Sequence, residues 1–440
     1  MTDLLAARSQ MAMSLAFHII FAVVGMAMPL LMVIAEGMWL KTRDAGWLTL
    51  AKRWSKGTAV MFAVGAVSGT VLSFELGLLW PTFMEHAGPL VGMPFSLEGF
   101  AFFLEAIFLG VYLYGWDKVP ERLHFAAGVG VMICGLLSAI FVVAANAWMN
   151  TPTGFRFVDG AFVDIDPMAA FLSPAFFTQA LHMVLAAFVA VGFAAAAAHA
   201  WRLLKDPTSG FDRKAFAVAL IVGGVAAFAQ PLSGDLSAKH LAEHQPLKLA
   251  AMEGHWETES GAALRIGGWP DEEAEETRYS IDIPYALSIL AHLDPQAEIK
   301  GLKEWAPEDR PPVAITHVAF QIMVGSGFAM MGVAALGALL WWRGGRSLPM
   351  DPRFLKLVVA SGPLGFIALE AGWTVTEVGR QPWVIRGVLR TADAVTPMPG
   401  LAVPFLTFTA LYLFLGVTVV ALLRRIVFAP EAAPPTERAS

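Results

Sequence analysis

The chain has 440 residues, 57% hydrophobic and 15% charged, with a mean hydropathy of +0.60 and a formal net charge of −6. That composition excludes a soluble globular protein of ordinary make-up. The single cysteine, Cys134, excludes an intrachain disulfide and any zinc site built on cysteines.

Apolar runs long enough to cross about 30 Å of hydrocarbon recur along the chain. They predict an all-α polytopic membrane protein with nine spanning helices. These are Ala12–Trp39, Gly57–Leu79, Phe95–Trp116, Phe125–Trp148, Phe176–Leu203, Ala215–Pro231, Thr316–Trp342, Phe354–Thr376 and Leu401–Leu423. The first run is longer than the apolar region of a cleavable leader, so no signal peptide is expected. Lysine and arginine concentrate in alternate connections. Lys41, Arg43, Lys52, Arg53 and Lys56 follow the first helix, Lys118 and Arg122 the third, and Arg202, Lys205, Arg213 and Lys214 the fifth. Arg343, Arg346, Arg353 and Lys356 follow the seventh, and Arg424 and Arg425 the ninth. Basic loops stay in the cytoplasm, which puts the amino terminus outside and the carboxyl terminus inside.

Residues 1–231 are thus read as helices 1–6, 232–314 as one long external segment, 315–428 as helices 7–9, and 429–440 as a disordered Pro/Ala-rich tail. The external segment contains LAEHQPLKLAAMEGHWETE, expected as one amphipathic charged helix, then GWPDEEAEETRY and IPYALSIL. Lys248 and Glu253 on such a helix would normally be a solvated face. A connection of this length is usually functional or disordered.

The eighth helix ends in EAGWTVTEVGRQPW, with Glu370, Trp373, Glu377, Arg380 and Trp383 crowded into its last turns. Ionisable groups there are costly unless they face protein, water or a cofactor. An interfacial belt of Trp and Arg is the alternative. The connection beyond is external by the charge count, yet carries Arg380, Arg386 and Arg390, which suggests an anionic partner such as a heme propionate, or a structural salt bridge.

The orientation assigns each candidate ligand a depth. His18 on helix 1, His182 on helix 5 and Met323 on helix 7 each lie about two turns below the outer surface, and Glu377 sits at the outer end of helix 8. Four groups able to bind heme iron therefore share the outer half of the membrane on four helices. Taken singly, a membrane histidine serves equally as a polar helix–helix contact, and a methionine as packing. Glu98 and Glu105 on helix 3 are seven residues apart and share a face. Carboxylates in a row suggest proton transfer, or else structural hydrogen bonding across helices. Ser138, Asn146 and Trp148 on helix 4 are possible companions. His86, His240, His244, His255 and His292 fall in outer loops, His124 and His199 at inner helix ends, and His317 at the outer mouth of helix 7 against a propionate or water.

With these residues in view, the chain resembles subunit I of cytochrome bd-type quinol oxidases, in the short-loop branch called cyanide-insensitive oxidases. The matching stretches are the His18 region, SLEGFAFFLE, GWDKVPERLH, LSAIFVVAANAWMNTP, the Ala180–His182 region, KLAAMEGHWETE, IPYALSI, FQIMVG and EAGWTVTEVGRQPW. They occur in order along nearly the whole chain. The resemblance implies the heme-bearing catalytic subunit of a terminal oxidase in a bacterial inner membrane. It would oxidise quinol at the outer face and reduce O2 to water with cytoplasmic protons, without pumping.

Residue by residue, His182 and Met323 match the axial ligands of a low-spin heme b. His18 and Glu377 match ligands of two high-spin hemes, one heme b and the other heme d or a third heme b. Glu98 and Glu105 match an acidic pair that delivers protons, with Ser138 and Asn146 lining the route. Trp373 matches a tryptophan between hemes, Arg380 a propionate partner, and Lys248 and Glu253 the quinol-binding loop. A second membrane subunit is implied as partner, with a small accessory subunit in some relatives, and no nucleic acid. Gln321 departs from the pattern, since many relatives carry arginine there. The alternatives are a heme-free, proton-coupled transporter and a di-heme electron carrier using only the low-spin site.

Overall fold

The computed structural model describes residues 1–158 and 160–426; the tail expected at 429–440 lies outside them. Helices dominate, in the order α1 (Asp3–Thr42), α2 (Ala45–Leu79), α3 (Pro81–Tyr114), α4 (Glu121–Asn150), α5 (Pro167–Phe171), α6 (Phe176–Leu203) and α7 (Gly210–His244). Then come α8 (Pro246–Glu253), α9 (Ala286–His292), α10 (Val313–Arg343), α11 (Pro352–Ser361), α12 (Leu364–Val378), α13 (Thr391–Ala394) and α14 (Ala402–Ile426). Nine segments among the described residues are long and apolar enough to cross a membrane: α1–α4, α6, α7, α10, the α11–α12 pair and α14. The all-α polytopic expectation holds.

Several helices outrun their apolar cores. Helix α7 was expected to stop at Pro231, yet it carries that proline inside and continues to His244. Hydropathy falls there because the helix leaves the apolar zone, and the helix itself goes on. Ser233 and Ser237 hydroxyls donate to the carbonyls of Gln230 and Ser233 through the same turns, at 2.8 and 2.9 Å. His86, expected in a loop, lies on α3, which begins at Pro81. The eighth span is two helices, because Pro363 lacks the amide donor that would continue the hydrogen-bond ladder.

Helix α1 is the hub, packing on α2, α4, α6, α7, α12 and α14. Its Val23, Met26, Ala27 and Leu31 form a buried core with Ala187 and Val191 of α6 and Leu369 of α12. Helices in lipid gain little from hydrophobic burial against each other, so close backbone approach between small residues matters more. The sequence supplies these where α6 meets α7. A Cβ on Gly192 would lie 2.5 Å from the Gly223 Cα.

The 232–314 segment, expected to be external, folds into a compact layer at one end of the bundle. The expected single amphipathic helix is broken at Gln245–Pro246 into the end of α7 and the short α8, which Gly254 closes in the left-handed conformation. GWPDEEAEETRY, expected as polar loop, forms most of a hairpin of β4 (Leu264–Asp271) and β5 (Glu276–Ile283), paired from Leu264↔Ile283 to Asp271↔Glu276. The short strands β3 (Glu259–Ser260) and β6 (Glu298–Ile299) pair with each other. Elsewhere β1 (Arg156–Val158) pairs with β2 (Ala161–Val163), and β7 (Trp383–Ile385) with β8 (Leu389–Arg390). IPYALSIL contributes α9, whose Leu287 and Ala291 are buried with Leu249 of α8, as its apolar content suggested.

Gly192→Val should cost about 3 kcal/mol, the upper range for overpacking, and lower the thermal midpoint of the detergent-solubilised protein. The exposed Gly332, with nothing within 4 Å of where a Cβ would stand, should accept alanine with no comparable loss.

Candidate functional site

The two predicted histidine ligands share one local design. His18 Nδ1 lies 2.9 Å from the Ser68 hydroxyl of α2, and that hydroxyl is within 2.9 Å of the Val64 carbonyl and 3.1 Å of the Gly65 carbonyl. The serine proton goes to a carbonyl, so its oxygen accepts from Nδ1–H. His182 Nδ1 lies 2.9 Å from Ser233 of α7, whose hydroxyl donates to the Gln230 carbonyl at 2.8 Å. The Gln230 amide stands 3.1 Å from His182 Nε2 and can only donate to it. Both rings are therefore held with Nδ1 protonated and Nε2 as the lone-pair nitrogen, which in His182 accepts from the Gln230 amide that a metal would have to displace.

Met323 of α10 packs on α12 at Gly372, where a Cβ would come within 3.0 Å of the thioether sulfur. A Cβ on Gly69 would likewise come within 3.0 Å of His18 Cε1. Helix α7 contacts both α6 and α10, and α12 contacts the same two, so His182 and Met323 belong to one four-helix group. Trp373 is half-buried against the core around α1.

Glu377 is held at both oxygens. Arg380 Nη2 donates to Oε2 at 2.6 Å, and Asn146 Nδ2 of α4 donates to Oε1. Asn146 Oδ1 in turn accepts from Asn150 Nδ2 at 3.0 Å, and Asn150 Oδ1 accepts from Lys248 Nζ of α8. Lys248 also reaches the Thr376 carbonyl at 3.3 Å. Arg380 is 4% exposed and keeps Nε and Nη1 without protein partners, two donors suited to an acidic group. Arg390 pairs with Asp309 at 2.5 Å and Arg386 with the His244 carbonyl, so the salt-bridge explanation holds for Arg390.

Reading Lys248 and Glu253 as a solvated face is overturned, since they are 5% and 0% exposed. The hairpin and α10 close over α8, which no local pattern announces. Burial, then the nearby Arg380 guanidinium, pushes the Lys248 amine well below the ordinary lysine range. Burial raises the Glu253 carboxyl to about 8, against a smaller opposing pull from Arg265, and neither oxygen has a hydrogen-bond partner. His317, expected at a mouth facing water or a propionate, is fully buried, with its nitrogens 2.8 Å from the Met252 carbonyl and 3.0 Å from the Gly267 carbonyl. Gln321 locks the same hairpin, donating to the Arg265 carbonyl and accepting from the Gly267 amide, both at 3.0 Å.

Glu105 is 4% exposed between α1 and α4, its Oε1 3.2 Å from where a Gly135 Cβ would stand. Glu98 and Ser138 are half-buried. Asn146 is engaged by Glu377, and the Trp148 indole by the Thr153 carbonyl at 2.9 Å, so neither is spent on the α3 glutamates. Glu370 lines an apolar cavity of about 740 Å³ between α10 and α12 under Trp269, with Ile315, Ile322, Ile367 and Thr374. Sequence reasoning missed Ser68, Ser233, Gln230 and Asn150. It also missed Glu75, buried with Gln10 and Ser14 at 2.9 Å each, and the Glu36–His124 pair at 2.8 Å. A serine or glutamine in an apolar run was the only signal.

The family profile of cytochrome bd terminal oxidase subunit I matches residues 6–430. A Bacillus subtilis protein provisionally named cytochrome bd menaquinol oxidase subunit I is 39% identical, covering 96% of each chain. The Bacillus subtilis cytochrome bd ubiquinol oxidase subunit 1 is 33% identical, covering 97% of this chain and 93% of its own. The solved bd oxidase of Geobacillus thermodenitrificans superposes with a TM-score of 0.91 at 40% identity, over 97% of this chain and 98% of that one.

Glu253 should carry its proton at neutral pH and lose it as pH rises through about 8. Infrared difference spectroscopy would then show a protonated-carboxyl band that disappears across that range and is missing in Glu253→Gln. A band lost near the ordinary carboxylate value would contradict its dry setting.

Proposed function

The chain belongs to the cytochrome bd terminal oxidase subunit I family, and from that premise we propose the following division of roles among its residues. The protein is a multi-pass subunit of a bacterial inner-membrane quinol:oxygen oxidoreductase. The heme-free transporter reading is set aside with that membership. Nε2 of His182 and the Met323 sulfur would hold a low-spin heme b. His18 and Glu377 would each hold one high-spin heme, of which one would be heme b and the other heme d or a third heme b. Trp373 would lie against heme, and the free donors of Arg380 would hold a propionate. The observation that carries this assignment is that both histidines are held in the tautomer that binds iron, while Arg380 and Asn146 each donate to one oxygen of Glu377 and fix its orientation.

Bound heme supplies the one-electron chemistry and the iron at which O2 binds. The chain supplies orientation and proton access. Quinol docks at the outer face near α8, and the apolar cavity between α10 and α12 offers its isoprenoid tail a lateral path from the bilayer. Oxidation to quinone releases two electrons and two protons. Glu253, raised to about 8, is closer in basicity to a phenolic hydroxyl (about 10) than an ordinary carboxylate, and once its own proton has passed outward it accepts one from quinol. Those protons leave outward. Glu105 and Glu98, on one face of α3, deliver protons that enter from the cytoplasmic side, with Ser138 on the route. Release outside and uptake inside build a gradient with no pump. The amino terminus is then external and the carboxyl terminus cytoplasmic. A second membrane subunit completes the oxidase, and a small accessory subunit can join it.

The testing experiment is a reduced-minus-oxidised spectrum of the purified complex, repeated with carbon monoxide. His182→Ala should remove the low-spin b band while a carbon monoxide-sensitive signal persists. An unchanged low-spin band would remove His182 from the ligand set. A far-red chlorin band would identify heme d, and b-type bands alone the all-b form. Glu105→Gln should slow steady-state oxygen consumption about 10²-fold, the scale of losing a positioned proton donor, with quinol KM little changed.

A further inference from the structure

We propose that Lys248 is a positioning residue for Glu377, acting through Asn150 and Asn146, so that the outer helix α8 is mechanically and electrostatically tied to a heme-ligating carboxylate. The inference rests on the reading of Glu377 as a heme ligand and adds to it a chain of control that runs from the quinol-side layer.

Polarity gives the chain its direction. Two oxygens of Asn146, the carbonyl and Oδ1, face the Asn150 side chain and call for its Nδ2, so Asn150 presents Oδ1 to Lys248 Nζ, which donates to it. Asn150 Nδ2 donates to the Asn146 carbonyl at 2.9 Å and to Asn146 Oδ1 at 3.0 Å. With Oδ1 so occupied, Asn146 has only Nδ2 to offer Glu377 Oε1, and a carboxylate can only accept it. A donating amine at one end and an accepting carboxyl oxygen at the other are thus consistent with both amide orientations, with every bond donating toward Glu377. Reversing either amide would set donor against donor or oxygen against carboxylate. Arg380 clamps the second oxygen of Glu377 at 2.6 Å and fixes the carboxylate plane.

The chain is also anchored mechanically. Asn150 is fully buried and Lys248 is 5% exposed, so water does not compete for these bonds. Gln245, at the α7–α8 break, donates to Thr151 Oγ1 at 3.1 Å, one residue beyond Asn150, which pins α8 to the end of α4 at a second point. Lys248 reaches the Thr376 carbonyl, next to Glu377 itself, at 3.3 Å. An amine placed to meet a quinol alone would have no need of Asn150 or of the α12 backbone.

The test uses the intact oxidase with Lys248→Met, Asn150→Leu and the double variant, read by reduced-minus-oxidised and carbon monoxide difference spectra, heme potentials and quinol kinetics. Both single variants should shift the potential and band of the high-spin heme held by Glu377 in the same sense, with the low-spin band in place. Each should lower kcat about tenfold, the scale of one charge-assisted hydrogen bond, with KM changed less than about twofold. The double variant should fall no further than the worse single one, because both cut one chain. Lys248→Arg, which keeps donors, should recover the high-spin signal. A silent Asn150→Leu would overturn the proposal, as would a Lys248→Met that raises KM alone, or losses that multiply in the double variant. Loss of every heme signal in both single variants, unrelieved by Lys248→Arg, would overturn it too. Glu377→Ala separates the premise: if the high-spin signal survives there, the ligand assignment fails and not merely the chain.

Discussion

Hydrocarbon offers a polar group no partner, so every ionisable side chain placed between apolar helices must find its bonds within the protein. This constraint explains most of the specific contacts described above. Glu377 is held by Arg380 and Asn146, Glu36 by His124, and Glu75 by Gln10 and Ser14. Each pairing joins two different helices or two turns of one. The pairs therefore set rotation and register in a bundle whose apolar faces alone would tolerate sliding. Small residues do the complementary work, letting α6 and α7 approach to backbone contact at Gly192 and Gly223.

Among the buried groups left without full hydrogen bonding, three bear on the proposed site. Glu253 has neither oxygen bonded, Glu370 has one buried oxygen unpartnered, and Arg380 keeps two free donors. All three lie toward the end of the bundle that the hairpin β4–β5 covers or that α12 closes. A carboxyl buried dry, a carboxylate beside an apolar cavity and a guanidinium with spare donors are what a site for a lipid-soluble diphenol and an acidic cofactor calls for. Function in this family is proposed to run across that outer layer, with the α3 glutamates serving it from the opposite side.

Much of the architecture was legible in the sequence because apolar length is a one-dimensional property. All nine spans were foreseen, and Phe176–Leu203 agrees to the residue. His18, His182 and Glu377 stood out because ionisable groups are rare in apolar runs, whereas Met323 stood out only by sharing their depth and by the family resemblance. The outer layer was read less well. The hairpin in GWPDEEAEETRY hides behind acidic residues whose strand pairing is fixed only by its partner strand and by Gln321 from α10. Lys248 and Glu253 looked solvated because charge is judged locally, whereas burial is decided by what folds over it.

The sequence by itself determined the class, the number of spans, the family and the rare polar groups committed to the membrane. Those follow from composition and from motifs, which need no third dimension. Only the tertiary structure decided which group meets which. Asn146 turned to Glu377 and not to the α3 glutamates, Ser68 and Ser233 came to orient two histidines some fifty residues distant in each case, as the separations of 50 and 51 residues record. Such partners are separated along the chain and joined by helix rotation and packing, and no local periodicity encodes that rotation.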